Sequence, residues 1–285
     1  MNIKSTLKPF IPKKVLGFYH DIKYRSKETI FFQVHLTYHC NLKCKSCSHF
    51  SPLSGENYLD IKKFKKDMQR LSYLGRKNIR KIELLGGEPL LHPKINDFLK
   101  ISRRYFPNTE IVLFTNGILL SEISDNFWKI CGENNIIIVI SYYPIKLNMD
   151  KINEKNIYNI KLIYDPNPTN RWFCHFKMDF AGTQNEDENI KLCYESKNCH
   201  CLDNGKMYLC YFPACIYIFN NFFDKNIPVC KDDYIDIYKA KNILEIIKYL
   251  EQPMKFCKFC DVKNRYGFKL ETEWEISKKV IEEWT

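Results

Sequence analysis

The chain has 285 residues, 45% of them hydrophobic and 27% charged, which excludes collagen-like, mucin-like and wholly disordered classes. Its length is enough to bury a sizeable core without staples, and corresponds to about two units, or one barrel-sized unit with an appendage. The net charge of +11 is localised: residues 1–30 hold seven Lys/Arg against two acids, and residues 61–81 hold nine against one.

Basic patches of this kind attract phosphates, nucleic acid or anionic lipid, or simply solvate a helix face. No nucleic-acid signature surrounds either patch, so no nucleic-acid partner is expected. No apolar run reaches the ~18 residues of a membrane span. The start, MNIKSTLKPFIPKKVLGFYH, has neither the long apolar stretch nor the cleavage site of a secretory signal. The thirteen cysteines are an odd number at short spacings. In a reducing cytoplasm, the expected location, they point to metal rather than to disulfides.

In chain order, residues 1–29 form a basic extension, read first as a helix packing across one end of the fold and second as an amphipathic helix lying on a membrane surface or a partner. Residues 31–37 (FFQVHLT) read as a buried strand running into Cys40 to Cys47. Residues 60–74 have helical spacing, with Asp60 as N-cap and Gly75 at the end. Residues 80–85 are the next strand, stopped by Gly86-Gly87; residues 94–105 are helical; residues 110–115 are a strand ended by Asn116-Gly117. A helix over 120–131, a strand over 136–141 and a weaker strand near 159–164 follow. This alternation predicts an α/β fold with a parallel sheet, in an open or partial TIM-like (β/α) barrel rather than a complete one.

The core is placed at residues 30–168, running on to about 190. After Asp165-Pro166-Asn167-Pro168 the periodicity fades, and residues 190–265 read as a smaller cysteine-rich unit held by metal. Residues 203–210 read as a hairpin around Asp203-Asn204-Gly205 that delivers Cys210. Residues 266–285 close the chain, with an amphipathic helix over 271–284.

Cys40-x3-Cys44-x2-Cys47 can set three thiolates at three corners of an iron–sulfur cube and leave one iron open. Zinc is the competing occupant, with His35, His39 or His49 as fourth ligand. Lys43 and Lys45 favour thiolates. The second strand ends in Gly86-Gly87-Glu88-Pro89, where two glycines allow close backbone approach to a ligand and a carboxylate can receive an ammonium group. The third ends in Thr115-Asn116-Gly117. Both turns lie at the carboxyl edge where parallel α/β sheets bind ligands, although each alone also reads as ordinary strand-ending chemistry. Cys193, Cys210 and the Cys257-x2-Cys260 pair supply four more thiolates. Cys199 or Cys201 stand as alternatives to Cys193, and a four-cysteine zinc site as the alternative to a cluster. Cys131, Cys174, Cys215 and Cys230 read as ordinary buried thiols.

Taken together, C-x3-C-x2-C after the first strand, GGEP after the second and TNG after the third resemble the radical SAM (S-adenosylmethionine) superfamily, over roughly residues 30–145. The resemblance implies that Cys40, Cys44 and Cys47 hold a [4Fe–4S] cluster whose open iron chelates SAM. It implies that Gly86, Gly87 and Glu88 meet the SAM amino group, that Thr115 and Asn116 lie near its ribose or carboxylate, and that Ser141 faces the same pocket. An electron would then cleave SAM to methionine and a 5′-deoxyadenosyl radical, which abstracts hydrogen from a substrate. One departure stands out: the aromatic residue usual before the third cysteine is Ser46, leaving Phe50 or His49 for the adenine. The C-terminal spacing is similar to the SPASM extension in its shorter, one-cluster twitch form. That implies an auxiliary [4Fe–4S] cluster on Cys193, Cys210, Cys257 and Cys260.

Relatives with this layout oxidise sugar-like alcohols or modify peptide side chains. The stretch from Cys47 to Leu53 is similar to a subgroup found in polysaccharide and glycosyl-transfer contexts. The expected partners are a small-molecule substrate, a carbohydrate or nucleotide sugar, and an electron donor such as flavodoxin or ferredoxin. A peptide substrate stands second, since residues 1–29 are few for a leader-binding domain. Arg171, His175 and Lys146 are conceivable bases with equally good readings as surface or packing residues, and none is assigned as catalytic. Two non-catalytic readings remain, a zinc-binding interaction module and SAM binding without radical formation.

Overall fold

The computed structural model describes residues 29–165, 177–265 and 274–285. The first half is built of β1 (Ile30–Thr37), α1 (Ile61–Gly75), β2 (Ile79–Gly86), α2 (Ile95–Tyr105), β3 (Glu110–Thr115), α3 (Asp125–Glu133), β4 (Ile136–Ser141), α4 (Met149–Lys155) and β5 (Leu162–Asp165). The five strands are parallel and lie in the order β5-β4-β3-β2-β1. The helices start where the sequence supplies caps. The Asp60 carboxylate accepts from the Lys62 and Lys63 amides at 2.9 Å each, and Ser124 caps α3 through Phe127.

Alternation along β1 sorts its side chains onto two faces. Phe32, Val34 and Leu36 are buried in one core with Phe64, Met68 and Leu71 of α1 and Phe98 and Leu99 of α2. Each such buried side chain contributes about 1.5–3 kcal/mol. Gln33, His35 and Thr37 point to the opposite face. On α1, Lys62, Lys63, Lys65 and Lys66 stay exposed on a basic helix face, while Lys81 of the same stretch lies on β2 and pairs with Glu83. The basic residues 1–28 lie outside the described residues.

The second half comprises α5 (Glu186–Leu192), α6 (Glu195–Asn198), β6 (Cys201–Asp203), β7 (Lys206–Tyr208), α7 (Phe212–Phe223), β8 (Tyr234–Asp236) and α8 (Ile243–Tyr249). It continues the same sheet. β6 lies parallel to β1 at Gln33 and Cys201, with the Gln33 amide donating to His200 O at 2.7 Å, and β7 and β8 extend it antiparallel to eight strands. The hairpin turn is Asn204-Gly205, at φ 47° and 78°, the doubly left-handed pair of a two-residue hairpin. The carboxylate of Asp67 on α1 clasps this turn, accepting from Gly205 N at 3.0 Å and the Tyr238 hydroxyl at 2.6 Å. Arg70 donates to the carbonyls of Ile237, Tyr238 and Ala240 at 2.9, 3.3 and 2.7 Å. Helix α7 carries no polar stripe because most of its length is covered, with Phe212, Ala214, Cys215, Ile216, Ile218 and Phe219 buried. A helix without a stripe leaves no 3.6-residue signal in the sequence.

The helix expected over 271–284 does not form in the described part, 274–285. Only Ile281–Trp284 make a single 3-10 turn. The preceding residues are not helical because their backbone groups are bonded to the cysteine loop. Lys45 N donates to Glu275 O at 2.9 Å and Ser277 N to Lys43 O at 2.7 Å. Cys131 and Cys215 are buried as expected, whereas Cys230 is exposed; Cys174 lies outside the described residues. Among the described residues no helix is long and apolar enough to cross a membrane.

Candidate active site

Cys40, Cys44 and Cys47 follow the carboxyl end of β1 on a tightly turned loop. Ser46 and Phe50 take left-handed conformations (φ 54° and 55°), Phe50 N donates to Cys47 O at 3.0 Å, and Leu42 N reaches the Cys40 sulfur at 3.3 Å. Cys47 is near enough to both Cys40 and Cys44 to disfavour their ionisation. Burial, then repulsion from Glu88 and the other two cysteines, pushes Cys40 up to about 12. Burial and Cys47 push Cys44 up to about 11, against hydrogen bonds from Trp274 and Tyr143 that favour its thiolate. Three thiols brought together on one short loop are a donor set that fits a positively charged metal centre, which deprotonates its ligands outright.

The two glycine-containing turns brace this loop. An added Cβ at Gly86 (φ 140°) would lie 2.1 Å from Thr37 O, and one at Gly87 2.1 Å from His39 O. These glycines therefore admit the backbone leading into Cys40: Gly87 N donates to Thr37 O at 2.7 Å and Glu88 N to His39 O at 2.8 Å. We expect Gly86→Ala to lose at least about 2 kcal/mol in a denaturation experiment, because neither φ nor space accommodates the methyl. The Glu88 carboxylate is fully buried and joins the ends of β2 and β3. It accepts from Leu90 N at 2.9 Å, Thr115 Oγ1 at 2.8 Å and Asn116 N at 2.8 Å. Burial raises it to about 7 in spite of these three bonds, so a cationic ligand nearby would favour its ionised form. Asn116 Nδ2 donates to Asn41 Oδ1 at 2.7 Å and approaches the Cys40 sulfur at 3.9 Å. Ser141 is half-buried at the end of β4, opposite Asp165. Six residues singled out by sequence, Gly86, Gly87, Glu88, Thr115, Asn116 and Ser141, thus lie at the same sheet edge as the three cysteines.

The other residues weighed for this site fall elsewhere. Phe50 is fully buried against Phe212, Phe219 and Trp284, and His49 meets His35 edge-on and Tyr211 at a tilt. Ser46 is buried and donates through Oγ to Glu283 O, so its small side chain anchors the C-terminal segment. Lys146 is exposed, and Arg171 and His175 lie outside the described residues.

A second set of thiols surrounds a cavity lined by Cys193, Cys210, Cys257 and Cys260 together with Asn189, Leu209, Met254 and Phe256. Cys193 follows α5, Cys210 follows β7, Cys257 lies on a 3-10 turn, Lys255–Phe259, and Cys260 immediately follows that turn. Asn189 Nδ2 bridges the Cys257 and Cys260 carbonyls at 2.8 and 2.7 Å, fixing α5 to that turn. Burial, and then Cys260, Cys193 and Cys257, raise the Cys210 thiol. Cys199 and Cys201 do not line this cavity: Cys199 accepts from Gln33, and Cys201 lies in β6. Among the described residues no three Cys, His, Asp or Glu side chains close around a point as a single metal ion requires. The four cysteines line one cavity, and four thiols around one cavity are a donor set suited to a metal centre.

Tyr143, Trp274 and Asn189 were not singled out by sequence. Tyr143, two residues beyond Ser141, is raised by burial and then by Cys44, Cys47, Cys40 and Glu88. Its place just past a strand end was the available signal. Nothing local distinguishes Trp274, 230 residues from the cysteine it meets.

The Radical SAM superfamily model matches residues 34–141. GTP 3′,8-cyclase of Nautilia profundicola is 33% identical over 92 residues, covering 32% of this chain and 29% of the relative. That of Helicobacter pylori is 29% identical over 94 residues, covering 33% and 29%. The matches thus span less than a third of these relatives' length. Among solved structures, BtrN in complex with AdoMet and 2-DOIA aligns with TM-score 0.47 and 15% identity over 82% of this chain and 93% of that one. Native anSMEcpe with bound AdoMet aligns with TM-score 0.44 and 13% identity over 86% and 93%. The matched superfamily works with a [4Fe–4S] cluster and SAM.

Proposed function

Because residues 34–141 are a radical SAM domain, we propose that the chain is an enzyme that cleaves SAM reductively and takes hydrogen from a small, hydroxyl-bearing substrate, a carbohydrate or nucleotide-linked sugar. The carrying observation is the convergence of three mutually interacting thiols with the Glu88-joined turns at one sheet edge. Cys40, Cys44 and Cys47 would hold the cluster, which when bound supplies the electron that splits SAM. The chain's own part is to position. Glu88 holds the turn ends of β2 and β3 together and, with a cationic ligand favouring its ionised form, would give the site a buried negative charge near Cys40. Gly86 and Gly87 let the loop sit against β2, and Thr115, Asn116 and Ser141 offer polar groups along the edge. Cys193, Cys210, Cys257 and Cys260 would hold an auxiliary cluster, suited to receiving an electron when hydrogen abstraction is completed as an oxidation.

The substrate reading is supported by the face of β1 turned away from α1 and α2. There Gln33 Oε1 and both ring nitrogens of His35 are buried with no hydrogen-bond partner. Burial, then His49, holds the His35 imidazole well below its usual pKa, hence neutral, with one donor and one acceptor. Unpaired polar atoms are costly unless something fills them, and a polyhydroxylated molecule offers both donors and acceptors. The nucleotide-linked version agrees with the substrate in the cyclases' name, and the exposed lysines of α1 suit an acidic donor such as flavodoxin or ferredoxin.

The test is SAM cleavage. Anaerobically reconstituted protein with dithionite and SAM is expected to release 5′-deoxyadenosine, faster with the correct sugar or nucleotide sugar than without. Iron-loaded protein that yields none across such a panel would leave SAM binding without radical chemistry.

A further inference from the structure

The last residues of the chain form a strap across the cysteine loop, centred on Cys44. Cys44 pairs with Ile276 as an antiparallel bridge, and the Lys43 carbonyl and Lys45 amide on either side are both bonded to the strap. Lys45 and Glu275 reinforce it with an ion pair at 3.1 Å. From this strap Trp274 Nε1 reaches the Cys44 sulfur at 3.2 Å. Tyr143, from the loop after β4, bonds the same sulfur from another element. Two aromatic donors from distant parts of the sequence therefore meet on one of the three thiols, and neither is needed to build the sheet.

We propose that Trp274 and Tyr143 are positioning residues that set the reduction potential of the cluster at Cys40, Cys44 and Cys47. This rests on the reading of Cys44 as a cluster ligand. Reduction adds negative charge that is shared with the ligand sulfurs. An N–H or O–H pointed at a ligand sulfur stabilises the reduced form more than the oxidised one and raises the potential. The strap thus links the chain's C-terminal segment to how readily an electron enters the site.

The experiment is an EPR-monitored redox titration of the full, anaerobically reconstituted chain, reading the signal that SAM perturbs, with iron counted alongside. At the wild-type midpoint, Trp274→Phe and Tyr143→Phe should each lower the ratio of reduced to oxidised cluster about threefold. The double variant should lower it about tenfold, which is about 59 mV for a one-electron couple. Glu275→Gln weakens the strap's ion pair and removes a negative charge, so it should leave the ratio unchanged or raise it. Variants that keep their iron with an unchanged ratio overturn the proposal. So does a fall with Glu275→Gln as large as with Trp274→Phe, since strap docking alone would then be responsible. Loss of iron from both Trp274→Phe and the near-isosteric Tyr143→Phe would show that the donors hold the loop and do not tune it. A wild-type chain that takes up no iron on Cys40, Cys44 and Cys47 would sink the functional reading first, and this one with it.

Discussion

Cys44→Ala is expected to abolish 5′-deoxyadenosine formation, a loss of more than about 100-fold, exceeding the 10–100-fold typical of residues that only support a metal ligand. The reason is arithmetic as well as chemical. A cluster gripped by three thiols has no spare ligand, and Cys44 is the one whose sulfur and flanking backbone are held most completely. The complementary variant is Cys210→Ala. On the proposed assignment each substitution removes about four of about eight irons per chain, and Cys210→Ala leaves SAM cleavage in place while impairing turnover of substrate. Iron analysis and 5′-deoxyadenosine quantification on both variants check this. If Cys210→Ala abolished SAM cleavage while retaining about four irons, the assignment of the two sets would be reversed.

Trp284→Ala should be the most damaging substitution outside the cysteines. The indole is fully buried, with ring centroids 5.9 Å from Phe50 and 6.0 Å from both Phe219 and Phe223. Its Nε1 donates to the Cys47 carbonyl at 3.0 Å, and its own carbonyl accepts from Met178 N at 2.8 Å. Truncating a buried Trp costs about 3–5 kcal/mol, and at about 2–4 °C per kcal/mol for larger domains the melting temperature should fall by roughly 6–20 °C. Because the lost bond ends on Cys47, iron retention should fall with it. Ile276→Ala, on the same strap but 63% exposed, serves as the comparison and should change the melting temperature by less than about 2 °C. Equal shifts for the two would mean that Trp284 does not anchor the loop.

The physics behind these two predictions was unequally visible beforehand. Cys40, Cys44 and Cys47 fall within eight residues, and the Gly86 and Thr115 turns each end a strand whose apolar run is plain. Parallel strands joined by helices bring such ends to one edge whatever lies between. The basic residues of α1 were readable for the same reason, since a periodic helix declares its solvent face. Sequence left Cys193, Cys199 and Cys201 as alternatives because all three lie close in number; the fold lines the cavity with Cys193 and places Cys201 within the sheet and Cys199 against Gln33. The carboxylate of Glu88, expected to meet a ligand, is bonded on both oxygens to the protein, which only the packing of β2 against β3 decides.

What the sequence by itself determined is everything governed by local period and spacing: the parallel β/α core, Asp60 as a cap, the Asn204-Gly205 hairpin and the existence of two groups of thiols. The tertiary structure alone decided what depends on distant residues meeting. It carried β6, β7 and β8 onto the edge of β1 and covered most of α7, so that no polar stripe marked it. It replaced a helix at the C-terminus with a strap, because the backbone groups of Glu275 and Ser277 bond Lys45 and Lys43 instead of their own neighbours. A hydrogen bond between residues 44 and 274 has no signature in either stretch, since its partners are specified by the fold that separates them in sequence and joins them in space.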